Sequence, residues 1–282
     1  MASPTPQNRP KFLKGFWVGI GEFGIENLFM DKPHLYYGGT RGTGIRKLDK
    51  IIGGGLLEDS ILLIIYNTYS LGWALGAEIL KNRIKEGDFG VIINTVLPLS
   101  TLSMEISPMG IDIYKEGEEG NLAIIDIFAS YNRLEYPYDY VYTLSSLDIS
   151  TFVPKYTSAY RKILREHIKD RRPVGLVVTS DGFGFLMGEQ TSIRINQKLL
   201  TLRETARMTE KRKRPINIWL LNKDRVSNRY ISWLALYSQY IIEFCSSGDV
   251  KQETMIVRKS PLLDFEPGIY KFRVRRGKIE IT

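Results

Sequence analysis

Cysteine is almost absent from this chain. Cys245 stands alone among 282 residues, so no internal disulfide and no thiolate metal cluster can form. Histidine is nearly as scarce, with only His34 and His167, which argues against a zinc site. No apolar run reaches the roughly 18 residues that a membrane span needs. The opening MASPTPQNRPKFLKG has no apolar core before a small-residue cleavage site. A signal peptide is therefore not expected, and the cytoplasm is the expected setting. Acidic excess is also missing: net charge is +8 and pI about 9.3. That balance favours nucleic acid or another acidic surface, but it builds no site. With 43% hydrophobic and 25% charged residues, general disorder is excluded. The length suffices to bury a substantial core.

What is present is regular alternation. Residues 1–14 read as a polar tail, and 15–37 as an aromatic- and glycine-rich extension to a core domain over 38–282. The segment 38–60 holds two Gly-rich turns around a short helix near Ile45–Ile52. ILLIIY (61–66), FGVIINTV (89–96), NLAIIDIF (121–128), PVGLVVTSDGF (173–183) and INIWLLNKD (216–224) have the continuous apolar character of strands buried on both faces. Helical spacing fills the intervals at 73–87, 153–172 and 193–214, with a broken helix after Leu99. A further helix running into a strand is expected over 232–247. ETMIVRKS and GIYKFRVRRGKIEIT alternate as a terminal antiparallel pair, with Arg276-Gly277 as the turn. The fold class expected is α/β: a mostly parallel twisted sheet with helices on both faces and a C-terminal antiparallel hairpin.

In such sheets ligands gather beyond the carboxyl ends of the strands. After the first of these strands comes Tyr66-Asn67-Thr68-Tyr69-Ser70-Leu71-Gly72-Trp73. A phosphate cradle needs glycines that let successive N–H groups point inward, a lysine for the terminal phosphates, and a Ser or Thr for magnesium. This loop has one glycine and no lysine. As a loop alone it reads as an ordinary connection with buried aromatics. After the second strand, Thr95 to Leu99 offers no carboxylate to polarise water. Asp126 lies within the third strand as read and is a cap or hydrogen-bond partner before it is a base. The fourth strand exits through Thr179, Ser180 and Asp181. Asp181 could hold magnesium through water or cap the turn at Gly182. Catalytic Ser/His/Asp or Cys/His arrangements are not legible, and no metal ligands are assigned.

Cations are better represented. Lys211-Arg212-Lys213-Arg214 is read as the close of a long helix, with Arg203 and Arg207 before it. Such a terminus suits the macrodipole, but four in succession would also suit phosphate contacts. Lys271, Arg273, Arg275, Arg276 and Lys278 crowd the final hairpin. A third group is Arg161, Lys162, Arg165, Lys169, Arg171 and Arg172.

The stretch from GTGIRKLDKIIGGGLLEDS through ILLIIYNTYSLGWALGAEIL to VIINT resembles the opening of RecA-fold ATPases of the KaiC-like and archaeal RadA-like families. Gly44, Leu48, Asp49, Gly54, Gly55 and Ser60 fall in register. MGIDI, GNLAIIDIF, the Walker-B-like VGLVVTSDGFGFL and the closing hairpin extend the likeness over 38–282. The resemblance implies a RecA-like core, and it places the loop 66–73 at the address of a P-loop. In that register Tyr66, Tyr69 and Leu71 replace glycines, Gly72 the lysine and Trp73 the hydroxyl residue. Ser180 stands at the Walker B aspartate, with Asp181 one place late, and the water-activating glutamate is missing.

The function this implies is a pseudo-ATPase that binds protein, nucleic acid or both, in DNA repair, recombination or regulation. ATP and magnesium are then not expected as cofactors. Its partner would be a protein, such as a RecA-like paralogue or a second copy, with nucleic acid through the basic clusters and no membrane. The alternative is a weak ATPase with a degraded loop. A third reading is a planar ligand stacked on Tyr66, Tyr69 and Trp73. The composition and the resemblance together suit a hyperthermophilic archaeon.

Overall fold

The computed structural model describes residues 39–145, 147–246 and 252–282. The expected tail and extension over 1–37 lie outside them. Strands β1 (Thr40–Arg41) and β2 (Leu56–Leu57) pair around helix α1 (Arg46–Ile51). The main sheet then takes β3 (Ile61–Tyr66), β4 (Phe89–Asn94), β5 (Leu122–Asp126), β6 (Val141–Tyr142), β7 (Pro173–Val178), β8 (Ile216–Asn222), β9 (Tyr240–Ser246), β10 (Glu253–Lys259), β11 (Gly268–Arg275) and β12 (Lys278–Ile281). Their order is β12-β11-β10-β9-β3-β8-β7-β4-β5-β6. From β9 to β6 neighbours run parallel; β10 to β12 are antiparallel. This is the expected mostly parallel sheet with its terminal hairpin.

Period-two alternation explains why the central strands are apolar throughout. Leu62, Ile64 and Tyr66 of β3 face one core, while Leu63 and Ile65 face another. On the first face, helix α2 (Trp73–Lys85) covers Leu176, Ile218 and Leu220, and Gly76 lets it approach closely: a Cβ there would lie 2.8 Å from Leu220. Helices α3 (Leu99–Ile106) and α4 (Ile113–Glu118) join that layer through Leu99, Leu102 and Ile113. On the opposite face α6 (Ile149–Ile163) packs Phe152 and Ile163 against Phe89, Val91 and Ile93. There α9 (Asn228–Tyr237) packs Tyr230 and Leu234 against Leu63 and Leu221. Each such side chain, fully buried, contributes about 1.5–3 kcal/mol.

Three expectations change. The third strand ends at Asp126, because its carboxylate accepts from the Ala129 N–H (2.7 Å) and caps α5 (Ile127–Asn132). The fourth strand ends at Val178: Thr179 turns left-handed (φ 57°) and starts α7 (Ser180–Met187), so the GFGF run is helical. Helix α8 (Glu189–Thr209) stops before the basic run. Glu210 is extended, and Arg214 returns to the carbonyl of Arg203 (3.0 Å), so Lys211–Arg214 form a connection to β8 rather than a helix terminus. The Arg276-Gly277 turn is where it was expected, with φ of 49° and 70°. Among the described residues, no helix is long and apolar enough to cross a membrane.

Candidate functional site

The loop after β3 is held by the protein's own side chains. Asn67 donates to Ser246 Oγ (2.6 Å) and accepts from the Ser246 N–H (3.0 Å), fastening it to β9. The Thr68 N–H donates to Asp224 (2.8 Å), which holds that carboxyl below its ordinary range. The decisive group is Glu253 at the start of β10. One carboxylate oxygen accepts from the Leu71 N–H (2.6 Å), and the other from the Ser70 hydroxyl. Ser70 Oγ in turn accepts from the Gly72 N–H (2.9 Å). Amides just ahead of a helix N-terminus attract anions. Here an internal carboxylate and a hydroxyl already accept two of them.

Residue 72, where the resemblance puts a lysine, is equally committed. A Cβ on Gly72 would lie 2.5 Å from two ring carbons of Phe244. Phe244 is fully buried and packs edge-on against Phe272, with centroids 4.6 Å apart. A longer side chain at residue 72 has nowhere to go without displacing that pair. Tyr66 is buried, and burial with the nearby Asp181 charge pushes its phenol up. Trp73 is half-buried against the main core, and Tyr69 is 87% exposed. The three aromatics of a stacking site are thus not gathered on one surface.

At the exit of β7 the polar groups also bond to one another. Thr95 Oγ1 reaches the carbonyls of Val178 (3.0 Å) and Thr179 (2.8 Å). A Cβ on Gly182 would collide with that hydroxyl, so Thr95 and the start of α7 are packed together. Asp181 accepts from the Asn222 N–H (3.0 Å) and from Arg225 Nη1 (3.3 Å). Burial raises its carboxyl, while these two donors pull it back in part. It ties the exits of β7 and β8; the Gly182 N–H bonds instead to the Thr179 carbonyl (2.7 Å). Ser180 is 5% exposed, and its Oγ has no partner among the described residues. Between Thr95 and Leu99 there is no acid, and Asn94 closes the segment through the Leu97 carbonyl (2.6 Å) and Asp126 (3.1 Å).

Sequence-expected cations separate into two kinds. Arg203 and Arg214 converge on Asp59 (3.4 and 3.5 Å), and Arg273 donates to Gln252 (2.6 Å). Arg207 lies 3.8 Å from Glu204. Arg171 donates to the His167 carbonyl (2.9 Å), and Arg172 pairs with Glu58. Lys211, Arg212, Lys213, Lys271, Arg275 and Arg276 are exposed.

A family model described as ATPase: KaiC matches residues 41–166, the part from β1 through α6. The fold is that of a KaiC-like ATPase domain. An uncharacterized protein, PH0321 from Pyrococcus horikoshii, solved in complex with an unknown peptide, superposes with a TM-score of 0.74. It shares 21% identity, over 86% of this chain and 98% of its own. A KaiC-like protein, PH0186 from Pyrococcus horikoshii OT3, gives a TM-score of 0.61 at 17% identity, over 86% and 99%. No curated protein matches. ATP with magnesium is the group such a fold implies, and the residues present do not fit it. The loop amides at Leu71 and Gly72 have internal acceptors, and Phe244 fills the space beside Gly72. Glu253 and Phe244 lie more than 170 residues from the loop in sequence, so no local pattern could have announced them.

Proposed function

We propose that this chain is a non-catalytic RecA-fold protein that works by binding a protein partner at the carboxyl end of its sheet. The observation that carries the first half is the Glu253 carboxylate on the Leu71 amide and Ser70 hydroxyl, beside a Gly72 packed onto Phe244. The second half rests on exposed apolar side chains that follow the parallel strands. They are Tyr69 after β3, Met104 after β4, Tyr131 after β5 and Phe185 after β7. Large apolar groups left in water at one end of a sheet are the ordinary signature of a partner surface. The unknown peptide held by the Pyrococcus horikoshii neighbour makes a peptide the partner class to examine first.

Titration with magnesium and ATP should give no saturable heat and no hydrolysis. Micromolar binding, with turnover that Asp181→Ala abolishes, would establish the weak-ATPase alternative instead. Partner class is read by pull-down from native extract with and without nuclease: capture should survive nuclease and weaken in Tyr69→Ser and Phe185→Ser. Exposure of Lys211, Arg212 and Lys213 supports a second, nucleic-acid reading. On that reading capture is nuclease-sensitive, and neutralising the three flattens its salt dependence.

A further inference from the structure

The face of the sheet opposite α2 carries two separate apolar clusters. One lies under α6 on β4 and β5, the other under α9 on β3 and β8. Between them, beneath α8, lies a cavity of about 340 Å³. Its floor is two cross-strand rows, Val91–Gly175–Asn217 and Ile93–Val177–Trp219. Gly175 carries no side chain, and the Asn217 amide leans into its place: a Cβ there would lie 2.8 Å from Asn217 Oδ1. Helix α8 roofs the space but buries only Ser192 and Ile195 of its 21 residues. One wall is the pair Tyr156 and Tyr160 of α6, stacked 6.4 Å apart, with Phe152 of the core stacked behind Tyr156 (6.0 Å). Tyr156 and Tyr160 lie deep among protein atoms yet keep exposed surface, because they face the void.

Protein interiors hold few voids larger than a water molecule, whereas ligand pockets run from about 300 to 1,000 Å³. The cavity's two ends differ. At the carboxyl exit of β7 it reaches Ser180, whose buried Oγ has no partner among the described residues. At the amino end of β8 it opens among Arg161, Arg203, Arg212, Lys213 and Arg214, so two of the basic clusters meet there. Among the described residues Asp59 and Glu210 are the carboxylates there; Asp59 engages Arg203 and Arg214, and Arg214 Nε is buried with no partner among them. The distance between the ends is the length of a six-residue strand, about 20 Å at roughly 3.3 Å per residue.

We propose that this cavity binds an amphipathic small molecule with an extended apolar body and an anionic head, carboxylate or phosphate. The body lies along the strand direction under α8, across the Val91 and Ile93 rows, and the head meets Arg212 and Lys213 at the mouth. This site shares no residue with the β3 loop and does not depend on the proposed function. Calorimetry on the full chain with hexadecanoate, hexadecyl phosphate, hexadecan-1-ol and hexanoate tests it. One of the two long anions should bind one-to-one, with the alcohol and the short acid at least about tenfold weaker.

Leu199→Trp, which fills the cavity from α8, should weaken that anion about tenfold or more. The double variant Arg212→Ala/Lys213→Ala should weaken the long anion severalfold and leave the alcohol unchanged. If Leu199→Trp loses its cooperative unfolding transition, Ala206→Trp nearer the mouth and the exposed double variant decide. Preference for carboxylate or phosphate names the source of the head group. No saturable binding of either long anion, equal affinity for hexadecan-1-ol, or affinity unchanged in the folded filling variant and the double variant would overturn the assignment.

Discussion

Gly72 has room for a hydrogen and nothing larger. Its backbone (φ −56°) would accept any residue, so only Phe244 forbids a side chain there. Gly72→Ala should therefore cost about 1–3 kcal/mol through overpacking, measured by urea denaturation. Phe244→Leu in the same chain should recover part of it; a neutral Gly72→Ala would mean that the ring yields freely. Asp181 makes a second residue-level prediction, in pH. Its folded carboxyl titrates above the unfolded value of about 3.9. Its stabilising contribution is thus complete below that pH and is lost as pH rises through the raised value. Asp181→Asn keeps an acceptor for the Asn222 N–H and gives up a pairing with the half-exposed Arg225, worth little. Between pH 4 and pH 7 wild type should lose stability relative to the variant, and a constant difference between their denaturation midpoints would contradict this.

Elements were legible where pattern alone dictates them. ILLIIY, FGVIIN and IWLLN are strands because both their faces are covered, and Arg276-Gly277 is a turn because both residues sit at positive φ. Gly277→Ala should weaken the β11–β12 hairpin by about 1–2 kcal/mol, because φ 70° strains alanine and its Cβ would collide with the Pro108 carbonyl. Amide exchange should quicken first across Phe272–Arg275 and Lys278–Ile281; global unfolding without local loss of protection would count against it. Elements depart from their sequence pattern where one side-chain bond ends a run. Hydrophobicity continues through Asp126 into Ile127 and Phe128, and only the cap to Ala129 turns the chain helical. Likewise, Lys211–Arg214 prolong a helical pattern that breaks because Arg214 pairs with Asp59. The site was legible as an address, since loop and Walker-B-like segment both sit at strand exits. Its contents were not, because Glu253 and Phe244 arrive from the distant β9–β10 edge.

Across the described residues the two ends of the sheet differ in construction. At the amino end, Arg83 is 3% exposed and donates twice to Asp88 (2.7 and 2.5 Å), once to Glu86 (2.6 Å) and once to the Gly42 carbonyl (3.0 Å). Arg172 joins Asp88 (3.8 Å) and Glu58, so the network links α2, the entries of β4 and β7, and the β2–β3 turn. Removing one partner of a buried ionic network strands the remaining charge and costs about 3–5 kcal/mol. At the carboxyl end Tyr69 is 87% exposed among the described residues. Arg83→Leu should thus lower the denaturation midpoint sharply while the folded fraction keeps its affinity for a captured partner. Tyr69→Ser should leave the midpoint within about 0.5 kcal/mol of wild type while lowering that affinity. Both variants are read by urea denaturation and by partner titration below the transition. If Arg83→Leu impairs binding as much as Tyr69→Ser does, the sheet transmits strain from one end to the other, and the carboxyl-end surface is not an independent site.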